Sequence, residues 1–280
     1  MPGTLIVCAT PIGNLADASP RLAETLATSD MIYCEDTRRS RILLESLGIK
    51  KRLHSYFVGN EGERQNQLAA DLEADLTVAL LTDAGLPAIS DPGWSAVNAA
   101  RRVGARVTVV PGPSALTASL AVSGFPSERV VFEGFLPRRG RERRERLDEI
   151  AQETRTIVLF VGASHLLSDL DALAEITPDR PLCVARELTK KFEEILWLTC
   201  AEALALFAER EAKGEFTLVL SAVAPRTPDI ESGIEGVLDA MARGQSMATA
   251  VRLVAADFGL PRRQLYEMVL ARTRDTTTGR

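Results

Sequence analysis

The chain has 280 residues, 46% hydrophobic and 25% charged, with a formal net charge of −5. That length allows one large or two ordinary domains with a real core. No apolar run reaches the roughly 20 residues that span a bilayer, so no membrane association is expected. The amino terminus enters a strand with no basic or signal-like segment ahead of it, which predicts a cytoplasmic protein. Cys8, Cys34, Cys183 and Cys200 are scattered and show no C-x-x-C spacing. They read as small apolar residues rather than a disulfide framework. His54 and His165 are far apart in sequence, so no metal site is expected.

Taken in order, β-branched runs alternate with helical patterns. A strand over 5–9, a helix over 19–28, a strand over 31–34 and a helix over 37–47 come first. A short strand at 53–56 precedes a helix opening at Asn60, with Glu63 spaced as in a capping box. Strand 77–81, helix 94–103, strand 106–110 and helix 113–123 complete a set of βα units, which predicts a mostly parallel sheet. Gly124-Phe125-Pro126 interrupts the pattern, and the domain junction falls near 110–125. Beyond it come strand 129–133, an arginine-rich helix to 152, strand 156–161 and helix 164–174. Strands 181–186 and 193–199 read as an antiparallel pair, followed by helix 200–212 and strand 216–222. Pro225, Pro228, Ser232 and Gly233 mark a linker. Helices over 234–242, 247–258 and 262–272 follow, the last two around Gly259-Leu260-Pro261; they form either a helix-turn-helix or a helical cap. Residues 275–280 read as frayed. The domains are accordingly 1–112, 113–224 and a linker with helical tail, 225–280.

Three glycine- and proline-rich loops each close an apolar run: Thr10-Pro11-Ile12-Gly13-Asn14, Thr82–Gly93 and Pro111–Ala115. A buried strand ending in small and acidic residues leaves a crevice where α/β sheets bind ligands. Gly85 and Gly93 permit close backbone approach, and Asp83 and Asp91 can accept hydrogen bonds from amino or hydroxyl groups. Neither G-x-G-x-x-G after a strand nor G-x-x-x-x-G-K-[ST] occurs, which argues against the common dinucleotide and P-loop sites. The acidic net charge argues mildly against a general nucleic-acid binder. Yet 138–146 carries six arginines against Glu142 and Glu145, either a solvated helix start or a phosphate-binding patch. Arg38, Arg39 and Arg41 form a smaller cluster.

Six segments resemble, in register, the tetrapyrrole-methylase superfamily: ATPIGNL (9–15), EDTRRSRILL (35–44), TDAGLPAISDPG (82–93), PGPSAL (111–116), ARELTK (185–190) and KGEFTLVL (213–220). Within it they resemble the bacterial branch that methylates a cytidine 2′-hydroxyl of 16S ribosomal RNA in the decoding centre. The resemblance implies an α/β, two-domain, class III fold with S-adenosylmethionine (SAM) in the interdomain cleft and a small C-terminal helical extension. It also implies a homodimer, no metal, and 16S rRNA within the 30S subunit as substrate. Carried onto this chain, Pro11 and Gly13 would floor the cleft near the methyl group. Asp83, Ala84 and Gly85 would line the cofactor, supported by Ser90 and Asp91. Pro113, Ser114 and Ala115 would offer helix amino-terminal NH groups, Phe160 and Val161 would border the adenosine, and Glu215, Phe216 and Thr217 would close the site.

A ribose hydroxyl is a poor nucleophile, so a positioned base or a cation would assist it. Glu35, Asp36, Arg38, Glu187 and Lys190 are the candidates. Asp36 reads equally as a helix N-cap, and Glu187 with Lys190 equally as a structural ion pair. Arg138, Arg139, Arg141, Arg143 and Arg144 are the candidate RNA contacts. The chain departs from the family where an aromatic-Glu-small-Pro-His-Arg segment is usual: it has Val161-Gly162-Ala163-Ser164-His165-Leu166, and Leu86 replaces a threonine. Two alternatives stay open: the same fold acting on a tetrapyrrole or a protein side chain, and a non-catalytic SAM- or RNA-binding module.

Overall fold

The computed structural model of the chain describes residues 2–223 and 230–278. The expected linker prolines, Pro225 and Pro228, lie outside these. The chain divides into two compact units, Met1–Val223 and Ala224–Arg280.

The first unit holds two five-stranded sheets. In the first, β1 (Thr4–Cys8), β2 (Met31–Cys34), β3 (Leu53–Ser55), β4 (Thr77–Leu81) and β5 (Arg106–Val110) lie in the order β3-β2-β4-β1-β5, all parallel. The inner strands β1, β2 and β4 are largely buried on both faces, which their continuous apolar runs require, while the edge strand β5 is mostly exposed. Helices α1 (Pro20–Thr28) and α2 (Thr37–Ser46) bring Leu22, Leu26, Leu43 and Leu44 to one face. On the other face, α3 (Glu61–Glu73) and α4 (Trp94–Arg102) bring Leu68, Leu72, Ala96 and Ala99. From the adjacent strands β1 and β4 the chain crosses in opposite directions, to β2 and to β5. Their carboxyl ends therefore flank a crevice.

Helix α5 (Ala115–Ser123) leads to the second sheet, in which β6 (Val130–Gly134), β7 (Thr156–Gly162), β8 (Pro181–Arg186), β9 (Glu194–Thr199) and β10 (Glu215–Leu220) take the order β6-β7-β10-β8-β9. Only β6 and β7 are parallel; β8 and β9 form the expected antiparallel pair. The last strand, β10, inserts antiparallel to both β7 and β8. Helices α6 (Arg141–Gln152), α7 (Leu166–Ile176) and α8 (Cys200–Ala208) cover one face, with Ile150, Leu170, Leu173 and Phe207 in the core. Leu116 and Leu120 of α5 pack on the other, against Val158, Cys183 and Val219. A small cluster of Ile12, Ala185 and Leu188, with Ala115 and Ala118 against it, joins the two halves. All four cysteines are buried and free; burial pushes the Cys8 thiol up to about 12.

Three local expectations fail. Asn60 makes no side-chain cap on α3; its carboxamide instead closes the turn after β3, accepting from Phe57 N and donating to Ser55 Oγ. In the second unit, α9 (Ile230–Ala242) starts four residues earlier than the pattern suggested. Ser232 and Gly233 lie inside that helix; a side chain at Gly233 would overlap Leu260, so the glycine serves close packing rather than a break. Helices α10 (Met247–Asp257) and α11 (Arg262–Thr278) follow, α11 running through part of the segment read as frayed. This unit has its own core, including Ile234, Val237, Val251, Leu260, Leu265 and Val269. No helix among the described residues is long and apolar enough to cross a membrane.

Candidate active site

The loops after β1 and β4 are held to each other by backbone. Thr10 N donates to Gly85 O at 2.8 Å and Gly85 N to Thr10 O at 3.2 Å, while the Thr10 hydroxyl donates to Thr82 O at 3.2 Å. Gly85 sits at φ +81° and Gly93 at φ +139°, and Ala88 and Ser90 between them are also left-handed, at +70° and +61°. Such backbone persists only where surrounding contacts impose it. Here the Glu61 carboxylate accepts from Gly93 N at 3.2 Å and from the Ser95 hydroxyl at 2.9 Å.

The crevice above these loops is closed by the second sheet into a cavity of about 350 Å³, within the range of small-molecule sites. Its first wall is Ile12, Ala84–Leu86 and Ile89–Asp91; its second is Phe160–Gly162 at the end of β7, Ala185 in β8, Leu188 and Lys190 after it, and Glu215–Thr217 at the start of β10. Ser114 and Ala115, at the amino end of α5, and Phe135 complete it.

Of the residues expected to bind cofactor, Ala84, Gly85, Ser90, Asp91, Ser114, Ala115, Phe160, Val161, Glu215, Phe216 and Thr217 meet at this cavity. Pro11, Gly13, Asp83 and Pro113 do not line it. Between Pro11 and Gly13 it is the Ile12 side chain that reaches the wall. Gly13 instead lies under Lys190, whose side chain a Cβ there would overlap. Asp83 Oδ1 accepts from Asp36 N at 3.0 Å, and its other oxygen stands 3.5 Å from Arg39. Glu35 reciprocates, accepting from the Thr82 hydroxyl at 2.8 Å and Asp83 N at 3.3 Å. The Glu35 and Asp83 carboxylates thus tie the ends of β2 and β4 together.

Among the candidate catalytic groups, Asp36 and Arg38 stand away from the cavity wall. Asp36 caps α2 through Arg38 N at 2.8 Å and pairs with the Arg38 guanidinium, which holds its carboxyl down to about 2. The Arg38 side chain is 90% exposed. Lys190 does reach the cavity, its ammonium 2.8 Å from Glu187 and 2.9 Å from Glu215. Burial opposes its charge, but these two carboxylates hold the ammonium above its usual range. Lys190 is therefore a fixed positive charge and not a proton acceptor at neutral pH. Glu187 also accepts from Glu215 N at 2.9 Å, so it is both an ion-pair partner and a pin between β8 and β10.

These groups suit SAM, which carries a sulfonium and an ammonium beside one carboxylate. Asp91 and Glu215 offer negative charge to the cations. The amino end of α5 has no side-chain cap, leaving NH groups for a carboxylate. Phe160, Val161, Ile12 and Leu188 give the cavity an apolar surface of the kind an adenosine would need. Burial, reinforced by Glu35, Asp83 and Glu215, pushes the Asp91 carboxyl up to about 6, the mark of a site that accumulates negative charge in advance of a cation.

The arginine-rich segment divides. Arg143 is not a free phosphate contact: it pairs with Asp169 at 2.7 Å, the two side chains only 14% and 7% exposed, and also donates to Pro137 O and Ser168 O. Its partner lies a helix away, beyond any local sequence signal. Arg141 pairs with Glu145, and Arg146 with Glu133 and Glu149. Arg138, Arg139 and Arg144 are exposed and make no ion pair among the described residues.

Residues 4–204 match the family described as Tetrapyrrole (Corrin/Porphyrin) Methylases, and residues 228–273 match the RsmI C-terminal HTH domain. The chain is 42% identical over 272 residues to the ribosomal RNA small subunit methyltransferase I of Synechocystis sp., covering 96% of this chain and 98% of that one. It is 45% identical over 219 residues to the protein of that name from Thermotoga maritima, covering 78% and 98%. Among solved structures, a diphthine synthase has a TM-score of 0.60 at 16% identity, over 78% of this chain and 89% of that one. The uroporphyrin-III C-methyl transferase of Thermus thermophilus, complexed with S-adenyl homocysteine, has a TM-score of 0.56 at 18% identity, over 78% and 97%; at these identities the likeness is one of fold. The chain belongs to the tetrapyrrole methylase family, among the ribosomal RNA small subunit methyltransferases I, and is an S-adenosylmethionine-dependent methyltransferase.

Proposed function

We propose that the chain methylates ribosomal RNA of the small subunit, at the ribose 2′-hydroxyl of a decoding-centre cytidine of 16S rRNA. The substrate is the assembled 30S subunit, and the enzyme works as a homodimer in the cytoplasm. RNA as substrate is supported by the relatives' names, the 2′-hydroxyl by the six ordered sequence motifs. The observation that carries the chemistry is the Lys190 ammonium, fixed at the cavity wall by Glu187 and Glu215.

Bound SAM supplies a methyl group already activated by its sulfonium, so the protein's task is placement and charge. Ser90, Asp91, Ser114 and Glu215 hold the amino-acid portion, and Phe160 and Val161 the adenosine. Holding acceptor and donor in line removes several kcal/mol of barrier, of order ~7. Lys190 stabilises the negative charge that grows on the ribose oxygen as its proton leaves to solvent.

The test is incubation with labelled SAM and undermethylated 30S subunits, followed by mapping of any 2′-O-methyl nucleotide. One label on a decoding-centre cytidine is the expected result. Label confined to a base, or to free RNA of another kind, would refute the assignment. Light scattering of the purified protein tests the dimer.

A further inference from the structure

Beside the SAM cavity lies a second one, of about 410 Å³, on the far side of a shared wall. Phe135, Phe160, Val161 and Gly162 border both. The second cavity also has Arg138 and His165 at its sides. Gly162 has an ordinary extended backbone, φ −76° and ψ 149°, and a Cβ there would meet nothing within 4 Å. No turn requires this glycine. Its effect is to leave the boundary between the cavities without a side chain.

Phe135 is 58% exposed, an unusual position for an immobilised phenyl ring. Its edge-to-face contact with Phe160 (5.7 Å between centroids, 61°), itself edge-to-face with Phe132 (4.9 Å, 69°), fixes its orientation. Gly134 just before it takes φ +63°, at a bulge in β6, and packs so closely against the cofactor loop that a Cβ would lie 3.0 Å from the Ser90 hydroxyl. The segment after Phe135 is clamped in turn by half-buried Arg143, through Pro137 O and Asp169. A rigid, half-bare aromatic ring therefore stands at the mouth of the methyl-donor site, with the unpaired Arg138, Arg139 and Arg144 following it in the chain. An aromatic face beside arginines is how unstacked RNA bases are held.

We propose that this second cavity receives the base of the acceptor nucleotide, stacked on Phe135, with Arg138 on the adjoining phosphate and the ribose at the opening beside Gly162. The inference rests on the RNA methylation proposed above. Arg143 is then a positioning residue for Phe135 and Arg138.

The test uses Phe135→Ala, Phe135→Trp and Arg138→Ala with 30S subunits. Phe135→Ala is expected to raise KM for subunits about tenfold or more, as loss of one base–aromatic stack does, and Phe135→Trp to restore it. Arg138→Ala is expected to lower the salt slope of RNA binding by about 1, with SAM affinity by calorimetry unchanged. An RNA carrying 5-iodocytidine at the methylated position should photocrosslink to Phe135 in the wild type. Wild-type protein that methylates no RNA overturns the proposed function. Active wild type whose Phe135→Ala variant keeps KM within about twofold, or whose crosslink maps elsewhere, overturns the base pocket alone.

Discussion

Replacing Asp91 by asparagine separates the charge of the cavity from its shape. In the folded protein burial, with the nearby Glu35, Asp83 and Glu215, pushes this carboxyl from 3.8 to about 6. The folded state thus binds the proton more tightly than the unfolded chain does. Below pH ~4 both states are protonated and Asp91 contributes nothing through titration. Between pH ~4 and ~6 the unfolded state ionises first, and above pH ~6 the full penalty applies, ~3 kcal/mol at most. The asparagine carboxamide does not titrate, so the stability of the Asp91→Asn variant relative to wild type should rise by ~2–3 kcal/mol from pH 4 to pH 7.5. Urea unfolding followed by tryptophan fluorescence is a suitable assay, since the chain's two tryptophans, Trp94 and Trp197, both lie in the first unit. Any hydrogen bond lost with the carboxylate would shift the curves by a constant and leave the pH-dependent part intact. A difference that stays flat across this window, or falls, would refute the claim that the site holds an unfavourable negative charge.

The same charge should serve the cofactor. SAM affinity, by calorimetry, is expected to rise with pH through about 6 in the wild type and to be level in Asp91→Asn. Lys190→Gln should lower the single-turnover methylation rate by about a hundredfold, the usual loss on removing a donor to a developing oxyanion, while SAM affinity falls much less. Arg180 is 4% exposed and donates to three carbonyls, Ser221 O, Ile150 O and Arg155 O, at 2.9–3.0 Å. Arg180→Met removes all three bonds, leaving Ser221 O and Arg155 O without this donor while Ile150 O keeps Glu153 N, and should cost ~3 kcal/mol in urea unfolding.

The order of strands and helices was legible because nearly every strand is an apolar run ending in glycine, proline or acid, and most helices keep an apolar stripe. The second sheet's order was not. β10 is last in the unit yet central in its sheet, and that place is decided by antiparallel pairing with residues tens of positions earlier, which leaves no local trace. The site was readable to the same depth. Gly85 and Asp91 line the cavity as loop chemistry suggests, but the residues around Gly13 mislead: the residue of that loop that lines the cavity is the apolar Ile12, and the glycine makes room for Lys190. A bulky aliphatic inside a Pro-x-Gly turn was the signal available, since such a side chain needs a wall to pack on. The exposure of Phe135 had no local signal, because a single aromatic after a strand looks like core; it depends on the left-handed turn at Gly134. Arg143 was counted with its neighbours because charge runs are read along the sequence, whereas its partner Asp169 belongs to α7.

Backbone strain explains why the cavity loops defy propensity. Of the five non-glycine residues with positive φ among the described residues, Asp75 alone lies away from the site. Ser90 lines the first wall and Ala88 lies in the same loop; Glu187 and Thr189, at +50° and +66°, flank Leu188 and Lys190 of the second. Left-handed L-residues cost roughly 1–2 kcal/mol each, so the four together cost an amount comparable to the net stability of a small domain. The contacts that hold them are specific: Ala88 N to Pro92 O, Glu187 N to Glu215 O, and Thr189 N to the Glu193 carboxylate at 2.6 Å. The Lys190 ion pairs bind the second loop to β10 as well. Glycine at position 88 or 90 would relieve strain locally, yet it would also widen the range of conformations open to the loop. A methyl already activated by its sulfonium asks the protein chiefly for placement, which a wall of fixed shape would supply, and these loops hold that shape at the expense of local preference.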